Sequence, residues 1–143
     1  MKTKVTCLNC AATNNFPSEA VNKKVLCGRC KNPLPPPGQV IEPTPIQAEK
    51  LMNESSLPVL IDFYSPTCGP CQMMSPAVEG LARRRAGEMM VIKINVDNNP
   101  QLASVFGIQG VPTFVIVHRG NVRDRMSGAV SETDFSLWVA SRV

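Results

Sequence analysis

A chain of 143 residues has room for one ordinary domain, or a small one plus a compact module, and 43% apolar with 18% charged residues calls for a globular core rather than wholesale disorder. The net charge of +4 is gathered at one end, because residues 1–33 carry six Lys or Arg against Glu19 alone while the remainder is close to neutral. No apolar run approaches the roughly 18 residues of a membrane-spanning helix, no secretory leader is expected from Met1-Lys2-Thr3-Lys4, and the expected compartment is the cytoplasm, where structural disulfides are rare.

All six cysteines fall into C-x-x-C pairs: Cys7/Cys10, Cys27/Cys30 and Cys68/Cys71. The first two pairs are separated by sixteen residues, a spacing that suits a zinc site. Each C-x-x-C turn offers two sulfurs to one ion, and two turns complete a tetrahedral thiolate cage. His118 stands far away in sequence, so the site is expected to be all-cysteine and structural, with Gly28 supplying the positive φ of a tight turn. Between the pairs only Phe16, Val21, Val25 and Leu26 are available for a core, so metal binding must supply much of the folding free energy of residues 1–33. Lys and Arg around the cluster offset the net −2 of four thiolates and a divalent ion. No aromatic series accompanies them, which argues against a nucleic-acid surface.

Six prolines crowd residues 33–45, so residues 34–45 read as a stiff linker with a short edge strand at 39–42. A helix is predicted from Ile46 to Ser55. Pro58 to Tyr64 is near-continuously apolar, the pattern of a buried parallel strand, with Asp62 as the exception. Burial of that carboxylate should raise its pKa. Cys68-Gly69-Pro70-Cys71 follows at the start of a predicted helix, whose positive N-terminal end favours a thiolate. In that helix Met73, Ala77 and Leu81 make one apolar row and Met74, Val78 and Ala82 the next; Pro76 should kink it, and Gly87 is a plausible stop. Strands at 89–96, 114–117 and 122–126, a short helix at 101–106 and a last helix at 132–141 burying Phe135 and Trp138 complete an α/β pattern.

The segments Leu60-Ile61-Asp62-Phe63, Cys68-Gly69-Pro70-Cys71, Pro76, Lys93, Asn95-Val96-Asp97, Gly110-Val111-Pro112-Thr113 and Gly128-Ala129 resemble a thioredoxin. With the four-cysteine segment in front, the chain looks like the zinc-bearing thioredoxin 2 type of bacteria. The resemblance implies a thioredoxin fold over residues 46–143 behind a zinc-ribbon-like module. It implies that Cys68 attacks, that Cys71 resolves across the Gly69-Pro70 spacer, and that Asp62 is the base for Cys71 with Lys93 tuning it. It also implies that Pro112 is a cis-proline, that Gly110, Val111 and Thr67 contact substrate, and that Gly128 keeps the groove open. The residues alone leave Pro112 free to be trans, since only about 5–6% of X–Pro bonds are cis.

The expected activity is reduction of protein disulfides, with an NADPH-dependent thioredoxin reductase restoring the dithiol, one structural Zn²⁺, no bound organic cofactor, and a monomer. A disulfide oxidase or isomerase, and a redox-sensing zinc-ribbon adaptor, are the alternatives. The chain departs from the family pattern at Thr67 and Tyr64, where tryptophan is usual, and at Gln72, where lysine is usual. Losing an apolar shield and a cation bears on the Cys68 pKa and on the choice of substrate, and with the cation gone the expected Cys68 pKa lies above the roughly 7 quoted for thioredoxin itself. Titration of thiolate absorbance checks this; a value at or below about 7 would refute it.

Overall fold

The computed structural model describes residues 2–20 and 23–143, so Val21 lies outside the described residues. Strands β1 (Lys2–Thr6) and β2 (Thr13–Pro17) form an antiparallel pair around the first cysteine turn. They are followed by β3 (Val40–Ile41), α1 (Pro45–Glu54), β4 (Val59–Tyr64), α2 (Gly69–Arg84), β5 (Met90–Asn95) and α3 (Pro100–Val105). A hairpin of β6 (Thr113–His118) and β7 (Asn121–Ser127) and the helix α4 (Glu132–Ala140) end the chain.

The central sheet runs β3-β5-β4-β6-β7, parallel among β3, β5 and β4 and antiparallel at β6 and β7. Apolar residues on both faces of β4, β5 and β6 force helices onto both sides. On one side Leu60, Val91, Phe114 and Ile116 pack with Met74, Val78 and Leu81 of α2 and with Phe135 and Val139 of α4. On the other, Val59, Ile61, Phe63, Ile92 and Val115 pack with Ala48, Leu51 and Met52 of α1 and Leu102 of α3. The α/β class and the edge strand are as expected, and Thr44 closes a capping box at the start of α1.

Three details differ from expectation. Met73 is 77% exposed, so the outer of the two apolar rows of α2 begins at Ala77. Trp138 is only half-buried, because its indole N–H reaches out to Asp124 Oδ2 at 2.9 Å, and Val139 takes the core position. The proline-rich stretch is packed: Leu34 and Pro35 are buried, and Leu34 joins the same apolar cluster as Val5, Phe16, Leu51 and Leu57.

The N-terminal segment is therefore joined to the sheet through a common core rather than carried beside it. Thr6 Oγ1 and Ser55 Oγ, both fully buried, are 2.8 Å apart, and the Thr13 and Ser56 hydroxyls also meet. Gly87, at φ +85°, faces β1 so closely that a Cβ there would collide with the Thr3 hydroxyl. Phe16 is buried and Val25 packs beside the same cluster, whereas Leu26 is exposed.

Candidate active site and metal centre

The dithiol lies at the junction of β4 and α2. Cys68 is the N-cap of α2 and Gly69-Pro70 its first turn, where the proline's missing N–H costs nothing. Cys68 and Cys71 are joined as a disulfide with Cα atoms 5.2 Å apart. Cys68 is the more accessible of the two, Cys71 being 6% exposed. The Cys71 N–H donates to Cys68 Sγ at 3.1 Å, and Cys68 Sγ also lies 3.7 Å from the Val111 carbonyl.

That carbonyl belongs to a loop whose Val111–Pro112 peptide bond is cis. The loop is tied to β7 by the Gly128 N–H donating to the Pro112 carbonyl at 2.8 Å, and Thr113 Oγ1 donates to the Gly110 carbonyl at 2.7 Å. Gly128 sits at φ +92° with open space where a Cβ would be. Gly110, Val111, Pro112, Ser127 and Gly128 line a groove of about 510 Å³ beside the dithiol. Thr67 is exposed on the approach to Cys68, with its hydroxyl 3.4 Å from Ser65 Oγ. Gln72 donates its amide to the Pro66 carbonyl at 3.1 Å, steadying the loop before the dithiol without adding charge.

Side chains alternate across a strand, so Asp62 shares with Leu60 the face of β4 turned to α2. It is 7% exposed, and its Oδ1 has no hydrogen-bond partner among the described residues. Burial raises its pKa to about 6, with the Lys93 charge pulling the other way. Lys93 is the parallel-register neighbour of Asp62 on β5. Both line a cavity of about 520 Å³, open to Ser75, Glu79 and Arg83 of α2. Sequence reasoning missed what orients Lys93: its ammonium lies 5.1 Å over the Tyr64 ring, and the Tyr64 hydroxyl donates to Glu42. Burial, then the Glu42 carboxylate, pushes that phenol up to about 12. The signal available was Tyr64 standing two residues beyond Asp62, on the same strand face.

The other four cysteines converge. Cys7 and Cys30 sulfurs are 3.6 Å apart, as are those of Cys10 and Cys27, and all four lie within 4.8 Å of one another. Sulfurs at tetrahedral vertices around zinc, each about 2.3 Å from the ion, stand about 3.8 Å apart, so the donor set fits Zn²⁺. The two turns are built alike. Cys7 N–H donates to the Ala12 carbonyl and Cys27 N–H to that of Asn32, while Ala11 and Lys31 N–H groups return to Cys7 and Cys27. The positive φ falls on Ala11 (61°) and Lys31 (66°), just after each pair, and not on Gly28, whose N–H instead binds Asn14 Oδ1 at 2.9 Å. Donors reach the sulfurs: Asn9 N–H to Cys7, Arg29 N–H and the Asn14 amide to Cys27, and the Asn32 amide to Cys30, each at 3.4 Å. The Asn32 donors lower Cys30 to about 5, whereas burial pushes Cys7 up to about 12. A divalent ion is what would allow all four to be thiolates together.

Residues 39–141 match the family model described as Thioredoxin. The chain is 31% identical over 138 residues to thioredoxin C-3 of Corynebacterium nephridii, covering 94% of this chain and 92% of that one, so the likeness extends into the N-terminal module. It is 45% identical over 83 residues to thioredoxin 1 of a Nostoc species, covering 58% of this chain and 78% of that one. Among solved structures, a point mutant of a thioredoxin from Halobacterium salinarum NRC-1 superposes with a TM-score of 0.65 at 34% identity, covering 74% of this chain and 92% of that one.

Proposed function

This chain belongs to the thioredoxin family and is a thioredoxin-type thiol–disulfide oxidoreductase, and we propose that it works in the reducing direction on protein disulfides. One observation carries the direction. Cys68 Sγ lies against the Val111 carbonyl oxygen and, among the described residues, receives one backbone N–H and no cationic side chain. A carbonyl dipole and the absence of a cation disfavour the thiolate. A dithiol whose reduced form is little stabilised gives up its electrons readily, the converse of the strong oxidants whose reduced form is stabilised.

In the proposed cycle the Cys68 thiolate, its proton already lost to solvent, attacks one sulfur of the target disulfide. A Cys68–target S–S bond forms, the target's own S–S bond breaks, and the departing thiolate takes a proton. Asp62 carboxylate then accepts the Cys71 proton; Asp62 and Lys93 line a cavity with Ser75, whose hydroxyl donates to the Cys71 carbonyl. Cys71 sulfur attacks Cys68 Sγ, the Cys68–Cys71 bond closes, and the second target thiolate leaves and is protonated. Two electrons pass to the target, and two must be returned by an outside donor. We assign that role to an NADPH-dependent thioredoxin reductase. Thr67, Gly110 and Val111 would meet the target chain, Pro112 would shape the groove, and Gly128 would leave it open.

The proposal extends to the zinc-bearing thioredoxin 2 type: residues 1–33 as a module holding one structural Zn²⁺ on Cys7, Cys10, Cys27 and Cys30, residues 34–45 as its connection, and residues 46–143 as the catalytic domain. Work in the cytoplasm, as a monomer, belongs to the same reading, since a reducing compartment keeps four zinc thiolates intact.

Equilibration with a glutathione or dithiothreitol couple tests the direction. The expected potential is near the family's reference of about −270 mV. A value close to the roughly −180 to −120 mV of isomerases and oxidases would overturn it. Cys71→Ser should trap a stoichiometric mixed disulfide on Cys68, visible by mass spectrometry; capture on any other cysteine contradicts the assignment of the attacking thiol.

A further inference from the structure

Among the described residues, Arg125 is the only charged side chain lining the groove beside the dithiol. It lies on β7, the edge strand, where it pairs in register with Val115, while Ser127 pairs with Thr113 next to the cis bond. Arg125 and Ser127 therefore point to the same face of β7, about 7 Å apart at ~3.4 Å per residue. The guanidinium is held in place: Nη1 donates to the Phe106 carbonyl at 2.6 Å and Nη2 to that of Gly107 at 3.5 Å.

Its charge is not neutralised. No carboxylate forms an ion pair with Arg125 among the described residues. The adjacent acid, Asp124, faces the opposite side of the strand and is committed there to Trp138 Nε1 and to Arg142 Nε at 2.6 Å. Arg123, at the register shift of β7, is bonded to His118 Nδ1 rather than to an acid. A fixed, exposed cation with donors to spare is a recognition element for a carboxylate.

We propose that the groove selects disulfides whose flanking chain carries an aspartate or glutamate about two residues from the attacked cysteine, and that Arg125 reads that carboxylate. The proposal rests on the substrate reading of the groove given above. Charge complementarity at such a site acts mainly on the encounter and on partner choice, so its effect belongs in kcat/KM and is weakened by salt. Arg125 touches neither sulfur; it is a specificity residue, not a catalytic one.

The test uses the full-length, zinc-loaded reduced protein and synthetic disulfide peptides that differ at one position, with Glu, Gln or Lys two residues before or after the cysteine. With wild type, Glu should exceed Gln by about threefold and Lys by about tenfold in kcat/KM at low ionic strength, at one of the two positions. The Glu-to-Lys ratio should collapse towards one in Arg125→Gln, invert in Arg125→Glu, persist in Arg125→Lys, and shrink in high salt. Because Arg125 also ties β7 to the end of α3, the ratio within each variant is read rather than the absolute rate, and a merely structural role would leave that ratio unchanged. A wild-type ratio near one at both positions overturns the proposal. Reduction of none of the peptides, Gln included, would instead overturn the reductase reading on which it stands.

Discussion

With zinc held on Cys7, Cys10, Cys27 and Cys30 as proposed, stripping it from the reduced protein with a chelator should unfold residues 1–33 and lower the melting temperature of the remaining fold by about 10 °C or more. The reasoning starts from what the module has to hold it together. Among its described apolar residues only Val5, Phe16, Ala11, Cys7, Cys10 and Cys27 are well buried, and the described strands β1 and β2 form a two-stranded sheet that is marginal without further support. A structural zinc site contributes on the order of 10–16 kcal/mol in small zinc-finger peptides, far more than so few side chains can offer. The module is not an appendage, however. Val5, Phe16 and Leu34 share a cluster with Leu51, Leu57 and Val59, and Thr6 is hydrogen-bonded to Ser55 beside it. Uncovering those contacts loses burial worth about 1.5–3 kcal/mol per large side chain, and each kcal/mol moves the midpoint by about 2–4 °C at this chain length. Calorimetry with metal content measured on the same samples checks this. Cys27→Ser should reproduce the loss without chelator, and Cys68→Ser should leave the metal in place. A melting transition unmoved after the zinc has gone would mean that the module only tethers and does not brace.

Much of this was legible in the amino-acid sequence. The two cysteine turns announced themselves by spacing alone, because a metal site needs little more than two such turns. The unbroken apolar run of β4 identified a doubly covered strand, and Asp62 stood out within it because it is the one charged residue there. What stayed hidden depends on which face looks where. Met73 and Met74 are equally apolar, and only the position of α2 on the sheet decides that Met74 enters the core and Met73 meets solvent. Trp138 has enough apolar surface for the core, yet a buried indole needs a partner for its N–H, and Asp124 at the sheet edge supplies one. Part of the bracing of the module comes from the hydroxyls of Thr6, Thr13, Ser55 and Ser56, polar residues that carry no hydrophobic signal. Arg125 was invisible for the same reason: in Val122 to Met126 the alternation shows two faces but not that one of them borders the groove of the cis-proline loop.

Replacing Asp62 with asparagine should make the protein more stable and a worse catalyst at once. Burial raises the Asp62 pKa from 3.8 to about 6, outweighing the Lys93 charge. Below about pH 4 the carboxyl is protonated in both folded and unfolded chains, and burial of the neutral group carries no ionic cost. Between about pH 4 and 6 the unfolded chain has released the proton and the folded one still holds it, so the folded state binds more protons and stability falls as pH rises. Above about pH 6 the loss is complete. At 1.36 kcal/mol per pKa unit it amounts to about 3 kcal/mol. Asp62→Asn, nearly isosteric and uncharged at every pH, should therefore gain up to about 3 kcal/mol over wild type at about pH 8 and nothing below about pH 4. Denaturant melts at the two pH values measure the difference, and equal gains at both would show that the carboxylate carries no burial penalty. The kinetic half follows from the same group. An ionised Asp62 can take the Cys71 proton and asparagine cannot, so closure of the Cys68–Cys71 bond should slow about tenfold or more, and the inflection near about pH 6 should vanish from its rate profile. An unaltered profile in the variant would assign the proton to another acceptor. Stability gained and resolving rate lost are then both read on one protein with one substitution.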